Sequence, residues 1–182
     1  MRLIARSFLL LTLAASLAPT ARAGSLVGID GMTATVMQQK QSSFSGLGVR
    51  ARLRSAQLLD KIEFMPYVEY WRNTSTVTPF DIRSSRSDAT IGGDARYMGS
   101  FRGMHPYIGT GFGLHFLNSE VQAPSLGLPF GRNSLVKGGL SLLGGATFPL
   151  AGRLENFIEV KYHHVPSYGQ LKINMGLAYT LK

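Results

Sequence analysis

The sequence predicts an all-β chain: an eight-stranded antiparallel up-and-down transmembrane β-barrel behind an export signal. Three observations predict it. Beyond the first 23 residues, hydropathy alternates with period two rather than 3.6 along most of the chain. No later stretch suits a membrane-spanning helix, because the longest uncharged apolar run, residues 138–152, holds five glycines and Pro149. Finally, longer polar connections alternate with shorter ones, as in barrels whose outer loops are long and inner turns short.

The first element is not part of the barrel. Arg2 and Arg6 precede a short apolar stretch, residues 8–18, and Ala21-Arg22-Ala23 offers a small-x-small cleavage site. About 11 apolar residues are too few for an uncleaved anchor, which needs about 20. Cleavage after Ala23 would leave residues 24–182 as a single barrel domain.

The strands follow in order. A weaker first one runs near residues 29–38. In residues 46–54, GLGVRARLR, Leu47, Val49, Ala51 and Leu53 oppose Arg50, Arg52 and Arg54. A helix would spread those arginines around its whole circumference. In residues 61–71, Ile62, Phe64, Val68 and Tyr70 oppose Glu63, Met65, Tyr67, Glu69 and Trp71. Residues 87–97 set Ala89, Ile91 and Tyr97 against Asp88, Asp94 and Arg96, and residues 105–116 set Ile108, Phe112 and Leu114 against Gly109, Gly111, Gly113 and His115. Residues 134–148 alternate with Leu143 as an exception; residues 156–164 set Ile158, Val160 and Tyr162 against Glu159, Lys161 and His163. Residues 169–181 close the chain. The connections at residues 39–45, 73–86 and 117–133 read as long and those at 55–60, 98–104 and 149–155 as short; 164–168 is a brief last hairpin.

Composition narrows the partners. A formal charge of +9 favours an anionic one, and an exported chain meets a charged membrane surface rather than nucleic acid. There is no cysteine, so disulfides and thiolate metal sites are excluded. Glycine, at 21 of 182 residues, exceeds the usual share of about 7% without collagen periodicity.

Eight alternating strands also suit a soluble barrel with its apolar face inward around a ligand. The glycines at 109, 111 and 113 lie on the polar face, where small residues fit a narrow interior crowded with arginine and carboxylate. Aromatics near strand ends, among them Tyr70, Trp71, Tyr97, Tyr107, Phe116, Phe148, Tyr162 and Tyr179, suit interfacial girdles. Both favour the membrane arrangement. The polar face then lines the lumen, and Arg50, Arg52, Arg54, Glu63, Glu69, Asp94, Arg96, Glu159 and Lys161 form a charge network. Burying them unpaired would cost several kcal/mol each. Arg52 is expected near Glu63 across the second hairpin, with Glu69 and Asp94 serving Arg50, Arg54 or Arg96. The result is a plug rather than an open pore; a narrow pore is the competing reading.

The C-terminal stretch INMGLAYTLK carries a resemblance. Asn174-x-Gly176-x-x-Tyr179-x-Leu181 resembles the β-signal of bacterial outer-membrane proteins, which the barrel-assembly machinery reads. Leu181 stands where an aromatic is usual, and Lys182 follows. Residues 106–113, PYIGTGFG, look like the mid-barrel strand of the OmpA-like outer-membrane β-barrel superfamily, and residues 159–163, EVKYH, like its penultimate strand. The resemblance implies an outer-membrane barrel without a peptidoglycan-binding domain, with both termini periplasmic and four loops at the cell surface. It implies outer-membrane lipid and lipopolysaccharide as partners, the latter through Arg83, Arg86 and Arg132, and a monomer.

One enzyme class is similar in size. Lipid A 3-O-deacylases are eight-stranded outer-membrane barrels with a His-x-Ser motif on the seventh strand and a carboxylate on the eighth. Here His163, His164 and Ser167 provide a serine near two histidines. Ser167 lies three residues after His164, Pro166 intervenes, and residues 169–182 contain no Asp or Glu. The expectation is therefore no catalysis. His105, His115, His163 and His164 follow no metal-site spacing, so no metal or cofactor is expected; His115 and His163 read as structural lumen histidines.

Overall fold

The computed structural model describes residues 25–38, 43–54, 61–77, 82–122, 131–166 and 168–181. Residues 1–23, expected to be an export signal, lie outside them, as do residues 55–60, expected to be a short connection, and Ser167. Eight strands are formed: β1 Ser25–Gln38, β2 Phe44–Arg54, β3 Ile62–Val77, β4 Ile82–Met98, β5 His105–Gln122, β6 Gly131–Ala151, β7 Leu154–Val165 and β8 Tyr168–Thr180. Every neighbour in sequence pairs antiparallel, and β1 pairs with β8, closing the barrel.

Alternation dictates which face is which. Leu47, Ile108, Leu140 and Leu142 are each 65–70% exposed on the outer surface. Between them along the same strands, or on neighbouring ones, Arg50, Glu69, Asp94 and Ser141 are buried inside. An apolar surface this continuous is not left to water; it suits lipid, where closure also removes every open edge at membrane depth. Leu143 breaks the alternation by facing inward, 3% exposed.

Two turns at the end carrying the termini show how the chain reverses. Phe101 and Met104 pair around Arg102 (φ 47°) and Gly103 (φ 80°), the left-handed pair that two-residue hairpins require. Ala151 pairs with Leu154 around Gly152 (φ 57°) and Arg153. Pro66 sits inside β3; between Arg50↔Tyr67 and Leu53↔Phe64 its missing N–H coincides with a gap in the β2–β3 ladder.

The connections differ from the sequence expectation. Residues 73–86 and 117–133 were expected to be long loops, but pairing continues through Val77↔Ile82 and Val121↔Gly131. Polarity misleads here: Thr74, Thr76, Ser84, Ser85 and Asn118 are compatible with strands, and outside lipid a strand has no need of apolar teeth. Likewise β1 starts at Ser25, β2 includes Phe44 and Ser45, and residues 149–155 are a tight hairpin rather than a loop. The contrast of long and short connections largely disappears. Instead β3–β6 continue as a four-stranded sheet beyond the other strands, since β2 joins β3 only up to Gly46↔Trp71 and β6 joins β7 only from Leu140↔His164.

Candidate functional site: a lumen filled by ion pairs

The inward face is densely charged, and its links cross the barrel as well as adjacent strands. Near the terminal end, Arg96 donates from Nε and Nη2 to Glu63 Oε2 at 3.0 and 2.8 Å, and Arg54 Nη2 reaches the other oxygen at 2.5 Å. Arg54 stands at the rim, its side chain 46% exposed. The Arg96 guanidinium also lies 4.5 Å from the Tyr107 ring centroid.

The next tier centres on Asp30. Arg50 Nε donates to Asp30 Oδ2 at 2.7 Å, and its Nη1 crosses to Glu159 Oε2 on β7 at 2.8 Å. Arg52 Nε stands 3.0 Å from Asp30 Oδ1, an ion pair without hydrogen-bond alignment, while its Nη1 and Nη2 donate to Glu155 and Thr180. Tyr107 and Asn174 complete the shell around Glu159, donating at 3.0 and 2.9 Å. Above this, Lys161 donates to Asp94 at 2.7 Å, lies 3.7 Å from Glu69, and sits 3.6 Å from the Tyr67 ring centroid. Lys172 also donates to Glu69, and Ser141 to Asp94 at 3.1 Å.

Toward the distal end rings take the place of the arginines and lysines. His115 Nδ1 meets Asp88 Oδ2 at 2.8 Å and Thr90 Oγ1 at 3.0 Å; its Nε2 meets His163 Nδ1 at 3.1 Å. Phe44 and Trp71 then meet with ring centroids 4.4 Å apart and planes tilted by 44°, among Ala34 and Val36. Glycine makes the filling close: a Cβ at Gly111 would collide with the Asp94 carboxylate, and one at Gly145 with the Tyr107 hydroxyl.

Several expected partnerships are replaced by others. Arg52 serves Asp30 and Glu155, not Glu63, which takes Arg54 in register and Arg96. Glu69 and Asp94 serve lysines rather than arginines. Local pattern pairs charges along hairpins, whereas a lumen this narrow lets long side chains reach across it. Asp30, Lys172 and Glu155 join the network beyond that expectation, as does Asp88, which alternation already placed on the polar face. Strand parity alone would have placed Lys172 beside Asn174; Asp30 lay hidden because its outward neighbours Gly31, Thr33 and Thr35 carry no hydropathy signal.

The remaining candidates are dispersed. His164 is exposed on the outer face, opposite in parity to the buried His163, and so is separated from the lumen carboxylates. Among the described residues no group of three or more His, Asp or Glu could hold a metal ion. Asn174 points inward, while Tyr179 and Leu181 are exposed on the outer side. A Cβ at Gly176 would run into the Gly31 carbonyl, so this residue lets β8 approach β1 at the closing seam. Of the distal arginines, Arg83 and Arg132 lie on the outer face and Arg86 shares the inward parity of Asp88 and Thr90, above the lumen mouth.

No protein-family model matches the chain, and no curated protein does. Solved structures do. The chain is similar to a major outer membrane protein from Thermus thermophilus, with TM-score 0.63 and 13% identity over 86% of this chain and 100% of that one. Neisserial surface protein A aligns at TM-score 0.60 with 16% identity, covering 85% and 96%. Ail, the attachment invasion locus protein of Yersinia pestis, aligns at TM-score 0.59 with 12% identity, covering 87% and 99%; that structure holds the heparin analogue sucrose octasulfate. At these identities the likeness establishes fold.

Proposed function

From a chain with the OmpA-like outer-membrane barrel fold, a membrane barrel protein, we propose a structural and interaction role in the bacterial outer membrane. In this reading the lumen is a plug, the termini are periplasmic, and the distal end of β3–β6 is extracellular. The outer surface contacts anionic lipopolysaccharide through basic residues, and no reaction is catalysed. Asn174, Gly176, Tyr179 and Leu181 serve as the address read by the assembly machinery, and the barrel works as a monomer.

One observation carries the reading: the cross-lumen links Arg50–Glu159 and Lys161–Asp94, with Lys161 also near Glu69, tie opposite walls together where an open pore would need water. An eight-stranded barrel leaves room for side chains and little else. Planar-bilayer recording tests it. The wild-type barrel should show no steady conductance, and Arg52→Ala should lower unfolding temperature without opening a stable channel. A steady wild-type current, or a large conductance in Arg52→Ala with unchanged stability, would replace the plug by a pore.

A further inference from the structure

The outer face of β3–β6 changes character along a single line. Tyr70, Ala89, Phe116 and Val136 are in mutual register and form the last apolar row toward the distal end. The next outward row is Arg72, Ser87, Asn118 and Ser134; the one after it is Thr74, Ser85, Glu120 and Arg132. Rows two residues apart are separated by about 7 Å. The side chains are joined on that face: Arg72 Nε donates to Ser85 Oγ at 3.1 Å, and Ser134 Oγ to Asn118 Oδ1 at 2.7 Å.

Between these rows lies a recess of about 190 Å³, with Tyr70 at its foot and Arg72, Arg132, Ser85, Ser87 and Asn118 around it. Glu120 is the one acid in its lining and accepts from Gln122 Nε2 at 2.8 Å. Among the described residues Arg132 makes no ion pair. Arg83 stands one outward row beyond the recess on β4; outside β3–β6 the outward positions of the distal rim carry no lysine or arginine among the described residues: Thr35 and Met37 on β1, Ser45 on β2, His164 on β7, Leu171 on β8.

We propose that this recess is a binding site for the phosphate group of an outer-leaflet lipid headgroup, held between Arg72 and Arg132. Continuity argues for a lipid: the recess opens directly above the apolar rows that acyl chains would cover, at the depth where a headgroup begins. Charge argues for phosphate. Two guanidinium forks face one carboxylate, hydroxyls and an amide supply further donors, and arginine matches phosphate oxygens two at a time. Glu120 opposes the anion and limits affinity. The inference rests on the outer-membrane reading above and assigns it a location.

The test uses the full mature chain folded in uncharged detergent micelles and titrated with bisphosphorylated lipid A, dephosphorylated lipid A or inorganic phosphate. The phosphorylated lipid should bind and the dephosphorylated one should bind far more weakly. Arg72→Gln and Arg132→Gln should each weaken binding about tenfold, the loss expected for a charge-assisted contact, and Glu120→Gln should tighten it. Arg102→Gln/Arg153→Gln, at the opposite rim, should change nothing. Heat-modifiable gel mobility reports folding for every variant, and Arg72→Lys/Arg132→Lys, keeping charge without the forks, should bind with intermediate affinity. Equal binding of the dephosphorylated lipid, or displacement by inorganic phosphate at concentrations matching the lipid, overturns a lipid-phosphate site. Undiminished binding in the double Gln variant overturns this location while leaving the lipopolysaccharide reading standing; no binding by the wild type overturns both.

Discussion

The lumen and the outer face of the distal sheet are both rich in charge, and they use it in opposite ways. Inside, the carboxylates of Asp30, Glu63, Glu69, Asp94 and Glu159 each face arginine or lysine within ion-pair distance, and all are nearly dry. Outside, among the described residues, Arg72, Arg83 and Arg132 share their face with a single acid, Glu120. Buried charge without a partner is costly, so the inner set must balance itself. Exposed charge is cheap to leave unmatched, so the outer set can wait for a partner. Among the described residues the excess of cations therefore lies outside the lumen network.

The sharpest way to break that contrast is to remove one inner acid. Glu69 is the hub that holds Lys172 and stands near Lys161. Glu69→Ala would leave the buried Lys172 ammonium without its counter-ion and Lys161 with Asp94 alone, and the expected loss is about 3–5 kcal/mol, read by urea unfolding of the micelle-held barrel. A loss below about 1 kcal/mol, the range of an exposed ion pair, would mean that water already screens the lumen.

Glycine offers a second comparison within two facing strands. Gly111 points inward, and a Cβ there meets the Asp94 carboxylate and the Gly93 carbonyl; Gly93 points outward with nothing within 4 Å. Gly111→Ala should cost about 1–3 kcal/mol by overpacking. Gly93→Ala should be neutral or stabilising by up to about 1 kcal/mol, because the unfolded chain loses freedom. Equal effects in the two variants would show that the lumen yields as easily as the lipid face.

Much of the fold was legible because lipid and lumen impose period two on every strand that crosses. Leu47, Val49 and Leu53 against Arg50 and Arg52 could be assigned to faces from spacing alone. What alternation cannot convey is where a strand stops once it leaves the apolar zone: Thr74, Thr76, Ser85 and Asn118 look like loop residues by composition, yet the ladder runs through them. Pairing partners were also illegible. Arg52 and Glu63 belong to adjacent strands, but Arg54 lies opposite Glu63 and Arg52 lies nearer Asp30 and Glu155. Register and the reach of an arginine across a narrow lumen are tertiary facts, carried by no local pattern. The outer recess was invisible for a related reason, since its two arginines are 60 positions apart in sequence and meet only through three strand pairings.

The smallest expected effect completes the contrast. Arg72→Gln/Arg132→Gln in uncharged detergent should alter unfolding free energy by no more than about 0.5 kcal/mol per site, as for surface substitutions away from a buried network. Arg72 would lose its bond to Ser85, an exposed contact that water replaces. Arg132 has no ion pair to lose among the described residues. The same double variant in phosphorylated lipid should then lose the stabilisation that binding confers on the wild type, since a ligand held only by the folded barrel raises its stability. A change confined to the lipid-bound state assigns the two arginines to a partner; a comparable change in detergent alone would make them part of the fold, as Arg52 is.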